Sequence, residues 1–198
     1  GIMDETNGKH EIKNLLSGMY LVKETKTPEN HVGDEHYYLV TINVPGETEE
    51  VKNSDEGFIN KMFGHIKLDK YSDSDLGNHL VGAEFSVYND VNKNGTYEAD
   101  VDTFYDTMTE STGTHKRNNL LKGFYLVKET KAPANHVADE NYYAVEIKTP
   151  GETEEVKNSD EGFLNDFFGH IIIDKYSDSD IGNHLVGAEF SVYNDVNK

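Results

Sequence analysis

"GAEFSVY", Gly82–Tyr88, alternates Ala83, Phe85 and Val87 with Glu84, Ser86 and Tyr88. That is the period-two pattern of a strand with one apolar and one polar face. The segments around it read the same way. "FYLVKE" at 124–129 and "YYAVEI" at 142–147 are rich in aromatic and β-branched residues, and Gly, Asn, Asp and Pro clusters separate the runs. No 3.6-residue apolar stripe stands out; Met108–Leu121 reads as a polar connection, at most a short helix. Several short strands in about 100 residues predict an all-β, antiparallel, immunoglobulin-like sandwich.

The same seven letters return at Gly187–Tyr193, and the offset of 105 residues holds along the chain. "PGETEEVKNSDEGF" occupies 45–58 and 150–163, and "KYSDSD" starts at Lys70 and at Lys175. A repeat of this length is domain-sized, not a solenoid unit. Its phase predicts three pieces: 1–64 as the later part of one domain, 65–169 as a complete domain, and 170–198 as the first part of another. The two outer pieces together lack only the counterpart of Asn94–Tyr105. Half-sandwiches would expose apolar faces and open edges. The expected remedy is head-to-tail completion between neighbouring copies.

Composition narrows the function classes. There are 37 acidic against 18 basic side chains, a formal net charge of −19, which disfavours nucleic acid and anionic membrane as partners. No cysteine is present, so disulfides, thiolate metal sites and cysteine nucleophiles are excluded. No apolar run approaches membrane-spanning length, and no secretion signal opens the chain. Eight of the nine histidines pair across the repeat (His10/His115, His31/His136, His65/His170, His79/His184) without an HExxH arrangement, and the histidines read as surface or turn residues.

Three features recur in fixed order: a first strand, "GHIKLDK" or "GHIIIDK", ending on Lys70 or Lys175; "YLVKET", carrying Glu24 or Glu129 ahead of a proline; and "EGFIN" or "EGFLN", carrying Asn60 or Asn165. Lys67 is replaced by Ile172 in the other copy, so it stands outside the shared design. With "LVGAEFSVY" and "LLKGFYLVKETKAP", this set resembles the Cna B-type, or SpaA-like, prealbumin-like domain of Gram-positive surface proteins and pilins. Two departures are "ANHVADENYY" after Pro133, where the family has Gly-Tyr, and a slightly longer first-turn loop, "YSDSDLGNH".

The resemblance implies an intramolecular isopeptide bond, with Lys70 as nucleophile, Asn165 as acyl donor and Glu129 as proton shuttle. Lys175, Asn60 and Glu24 would form the equivalent set between repeats. Burial suits each role, because it favours a neutral lysine and a protonated glutamate. The reaction would run once, so the protein would not be an enzyme in the turnover sense. The implied role is an extracellular stalk or fibre module of a cell-surface adhesin or pilus-like protein. A ligand-binding adhesin domain with a host or matrix ligand, or an accessory domain of a secreted enzyme, is the alternative.

A second motif is "DVNKNGTYEADVD", 90–102. Asp90, Asn92 and Asn94 alternate ahead of Gly95, as at the start of an EF-hand loop. It also resembles the calcium loops in repeat domains of some staphylococcal-type surface proteins. Val101 stands where a bidentate glutamate is expected, so Glu98, the Thr96 carbonyl and Asp100 or Asp102 are the expected further calcium ligands. The competing reading is a hairpin whose Asn-Gly makes the turn.

Overall fold

The structure is a computed structural model that describes residues 1–44 and 46–195. It divides into two compact units, Gly1–Phe167 and the segment from Phe168 onward. Within the first unit, β1 (Asp4–Thr6) and β2 (Lys9–Glu11) form a hairpin, and β3 (Gly18–Val22) pairs antiparallel with β4 (Tyr38–Ile42). Then come β5 (Gly64–Ser72), β6 (Glu84–Asn89), β7 (Thr103–Thr107), β8 (Thr109–Ser111) and β9 (Thr114–Leu120). The unit ends with β10 (Gly123–Lys131), β11 (Tyr142–Ile147), β12 (Thr153–Glu155) and β13 (Phe163–Asn165). The second unit holds the hairpin of β14 (Tyr176–Ser177) and β15 (Asp180–His184).

One sheet has the order β11-β10-β6-β7 and is antiparallel throughout. The other has the order β12-β5-β9-β8, with β13 also lying parallel to β5. Both supply the core, which contains Ile66 and Leu68 from β5, Phe85 and Val87 from β6, Tyr125 and Val127 from β10, Ile147 and Phe163. The all-β sandwich expected from the period-two runs is what forms, and no described residue is helical. Among the described residues no helix is long and apolar enough to cross a membrane.

Met108–Leu121 departs from expectation. It is a strand pair, β8 and β9, joined through Thr112 and Gly113, both at positive φ. Gly113 is required there: at φ +77° an added Cβ would also come within 2.7 Å of the His79 Cβ and 2.9 Å of the Leu80 carbonyl oxygen. A register shift against β5 between Gly64 and Ile66 explains the misreading. It lets His115 and Leu120, of opposite parity, both be buried, so the period-two signature is lost.

Residues 1–64 share the first unit with the sandwich. The Gly151 N–H donates to the Phe63 carbonyl at 2.8 Å, the His65 N–H donates to the Glu152 carbonyl at 3.0 Å, and the Met62 sulfur lies 2.8 Å from where a Cβ on Gly151 would sit.

Candidate functional site

On β5 burial alternates strictly, and the inward set is Gly64, Ile66, Leu68, Lys70 and Ser72. Lys70 therefore points into the core because it occupies an apolar register position. On β10 Tyr125, Val127 and Glu129 are the inward set, so Glu129 continues an apolar face. On β13 Phe163 and Asn165 are buried. The parallel β5–β13 register pairs Phe163 with Lys70 and Asn165 with Ser72, which puts Lys70 and Asn165 diagonal to each other on one inner face. Three polar side chains, 0 to 3% exposed, thus share an otherwise apolar interior.

Their contacts are few. The Lys70 Nζ donates to the Tyr71 and Phe163 carbonyls at 3.0 and 3.2 Å and lies 5.6 Å from the Phe163 ring centroid. The Asn165 Nδ2 donates to Glu129 Oε2 at 2.7 Å and to the Val137 carbonyl at 2.6 Å. Glu129 Oε1 and Asn165 Oδ1 are buried with no hydrogen-bond partner. Burial lowers the Lys70 ammonium to about 8, with the Glu129 and Asp139 carboxylates opposing. Burial likewise raises Glu129, against the Asp139 N–H, Asn165 and Lys70. Both shifts favour the neutral forms, as desolvation requires. An amine and a protonated carboxylic acid beside a carboxamide can carry out acyl transfer from the amide to the amine.

In residues 1–64 the acid and the amide recur without a lysine strand. The Asn60 Nδ2 donates to both Glu24 oxygens at 2.8 Å and to the Val32 carbonyl at 3.0 Å. Lys175 is exposed, and its Nζ donates to the Tyr176 carbonyl at 3.2 Å, as Lys70 does to Tyr71.

Sequence reading missed three groups, the half-buried Asp139 and two buried histidines. Asp139 lies in the stretch that departs from the family pattern; its N–H donates to Glu129 Oε2 at 2.8 Å, and its carboxylate accepts from Tyr143, Asn158 and Asn141. A signal was present, since "DEHYY" at 34–38 and "DENYY" at 139–143 repeat it. His115, read as a surface or turn residue, is fully buried against Phe85, with ring centroids 4.8 Å apart and no partner on either ring nitrogen. His136 is buried too, its Nε2 2.9 Å from Ser72 Oγ. The immediate neighbours of His115, Thr114 and Lys116, are polar, which hid its inward position.

In the 90–102 loop, Asp90 accepts the N–H groups of Asn94 and Gly95 at 3.1 and 2.9 Å. Asp102 accepts those of Val91 and Glu98 at 3.0 and 2.8 Å. The Asn92 and Asn94 amides both donate to Glu98 Oε2. Asp90, Asn92, Asn94 and Glu98 are thus drawn together, while Asp100 is exposed. Thr96 donates its N–H to Asn94 Oδ1 at 2.8 Å. No group of three or more acidic or histidine side chains is placed to hold a metal among the described residues. A cation here would need amide and carbonyl oxygens in its shell.

A family model of the SpaA prealbumin-like fold domain matches residues 2–57 and 64–162. Among solved structures, the chain is similar to the TIE protein of Bacillus anthracis, at 26% identity and a TM-score of 0.44, covering 82% of this chain. The match spans 28% of that protein's chain. It is also similar to the minor pilin of Streptococcus agalactiae, at 22% identity and a TM-score of 0.40, over 85% of this chain and 68% of that one. The major pilin SpaD from Corynebacterium diphtheriae is similar at 24% identity and a TM-score of 0.39, over 52% of this chain and 30% of that one. No curated protein matches the sequence.

Proposed function

This chain belongs to the SpaA prealbumin-like fold domain family, and on that premise we propose that it is a structural module of an extracellular surface fibre or stalk, stiffened by a self-made Lys70–Asn165 isopeptide bond. The observation that carries the reading is the burial of Lys70, Glu129 and Asn165 on adjoining inner-face positions, with Glu129 hydrogen-bonded to the Asn165 amide.

With the Asn165 carboxamide turned so that its oxygen faces Glu129, the neutral Lys70 Nζ attacks Asn165 Cγ while a proton on Glu129 stabilises that oxygen. The Nζ–Cγ bond forms, the Cγ–Nδ2 bond breaks, and the proton lost by Nζ reaches Nδ2 through Glu129. Nδ2 departs as ammonia. Holding amine and amide on neighbouring strands supplies the proximity term. The reaction modifies the protein once and does not turn over.

Near-identical repeats suit a module whose job is length, because a binding site needs one specialised surface and a stalk needs many equivalent ones. The Glu24–Asn60 pair takes the first-strand lysine of another copy, Lys175 of a neighbouring chain, in head-to-tail order.

Intact-mass measurement tests the central bond. The chain is expected to weigh one ammonia less than its sequence for each bond formed. Glu129→Ala is expected to restore the full mass, and an unmodified chain with the wild-type sequence overturns the proposal.

A further inference from the structure

Four donors converge on the Asp139 carboxylate. Oδ2 accepts from the Tyr143 hydroxyl at 2.5 Å and from the Asn158 Nδ2 at 2.9 Å; Oδ1 accepts the Asn141 N–H and Nδ2, both at 2.9 Å. Asn158 in turn brackets the residue before Asn165, taking the Leu164 N–H on Oδ1 at 2.7 Å and donating to the Leu164 carbonyl at 2.8 Å. The Asp139 N–H reaches Glu129 Oε2 at 2.8 Å. One aspartate thus ties the β10 acid to the β13 amide from outside the reacting set.

The arrangement is built twice. Asp34 accepts from Tyr38 at 2.5 Å and from Asn53 at 3.0 Å, and its N–H donates to Glu24 Oε2 at 2.7 Å. Asn53 brackets Ile59 at 2.6 and 2.8 Å. His36 stands where Asn141 stands and still supplies its N–H to Asp34, at 3.0 Å. The donor is kept while the residue type changes, so the acceptor is the constant feature.

We propose that Asp139 is a positioning residue of the cross-linking site: its carboxylate, gripped by Tyr143, Asn158 and Asn141, holds Glu129 and Asn165 in register and sets a fixed negative charge beside Lys70 and Glu129. Burial acts to raise the Asp139 carboxyl, but the hydrogen bonds from Tyr143, Asn158 and Asn141 outweigh it and hold it below the usual range. The Asp139 charge in turn raises both Glu129 and Lys70. Two acids in one site are thereby pushed apart, Asp139 toward its anion and Glu129 toward its protonated form. The charged groups that act on the pair are Lys70, Glu129 and Asp139, and His115 on β9, opposite Leu68 in the β5 register, feels the Lys70 charge.

This inference rests on the isopeptide reading, and its test separates the two. The full chain is made by cell-free synthesis, quenched in acid at timed points across a pH series, and weighed. Wild type is expected to lose one ammonia with a bell-shaped pH dependence. Asp139→Asn is expected to slow that loss by about tenfold or more near neutrality. Both limbs should move to lower pH, because Lys70 and Glu129 each lose a raising charge. Tyr143→Phe, which keeps the carboxylate and its charge but removes its shortest bond, should slow the loss less and should not move the limbs to lower pH. Unchanged limbs in folded Asp139→Asn overturn the proposal even if the rate falls, since a purely structural role leaves them fixed. If that variant does not fold, a wild-type rate in Tyr143→Phe overturns it. A wild-type chain that never loses ammonia overturns the bond itself.

Discussion

Asn60 binds Glu24 as Asn165 binds Glu129: amide to carboxylate at 2.8 and 2.7 Å, each with a second bond to the carbonyl of the residue 28 positions earlier in sequence. The first pair achieves this without the lysine strand. Its surroundings are open, however: Leu21 is 66% exposed, whereas the corresponding Leu126 is fully buried.

An organised acid–amide pair under open apolar strands should capture a lysine strand from another copy. Concentrated protein is expected to give a ladder of covalent oligomers on denaturing gels. Lys175→Arg and Asn60→Ala should each abolish the ladder while leaving the ammonia loss of the central domain intact. A single monomer band from the wild type at all concentrations would count against head-to-tail bonding.

The central bond closes a loop from Lys70 to Asn165, nearly the whole sandwich. By the loop-entropy argument used for disulfides, such a link adds about 4–5 kcal/mol. Glu129→Gln keeps the size of the side chain but supplies no carboxyl proton. It is expected to unfold at lower denaturant by roughly that amount, and its intact mass should show that the bond is missing.

Calcium at the 90–102 loop is expected to be held by Asp90, Asn92, Asn94, Glu98, the Thr96 carbonyl and Asp102. Asp90 is already fixed by two backbone N–H groups, so the loop needs little reorganisation. Calcium should raise the melting temperature, and a chelator should reverse the gain. Glu98→Gln should weaken the response without unfolding the loop, because glutamine keeps a side-chain oxygen that can accept the Asn92 and Asn94 amides. Calorimetry with no calcium heat would defeat this expectation.

The strand pattern and the family resemblance made the sandwich legible, because its core strands keep period two: Phe85 and Val87 on β6, Ile66 and Leu68 on β5. Lys70, Glu129 and Asn165 were legible only through the motif. Periodicity marks their positions as inward, but a charged residue at an inward position is otherwise read as an error in the pattern. The β9 strand was not legible, since its register shift breaks alternation and leaves a histidine as one of two buried side chains. Asp139 escaped for another reason. The "DENYY" motif joins it to Asn141 and Tyr143, but no local pattern joins it to Asn158, through which it reaches the strand of Asn165.

His115 supplies a pH dependence of stability. Burial lowers its pKa in the folded state, with Glu110 opposing and Lys70 reinforcing. The unfolded chain titrates near the ordinary 6.5, so below that pH the unfolded state binds more protons than the folded one. Stability from this group is complete above 6.5 and is lost as pH falls through the lower folded value. His115→Leu is expected to flatten that part of the profile in urea titrations. An equal slope in both proteins between pH 6.5 and 5 would show that His115 is not its source.

Lys70 gives the opposite limb, and only while it is unlinked. In Asn165→Ala no acyl donor exists, so the amine stays free in the core. Its folded value of about 8 lies below the ordinary 10.5, chiefly because burial penalises the ammonium. Between those two values the unfolded chain holds a proton that the folded chain does not, so stability rises with pH. The full gain is ~3 kcal/mol, from 1.36 kcal/mol for each tenfold change in proton affinity. Below pH 8 the cost of the buried ammonium is constant. In the linked wild type Lys70 is an amide nitrogen and has no such titration. Denaturant melts from pH 7 to 10.5 should therefore rise for Asn165→Ala and stay level for the linked protein, apart from groups common to both. Parallel curves would mean that Lys70 is free in the wild type too, and its intact mass would then equal that of the unmodified sequence.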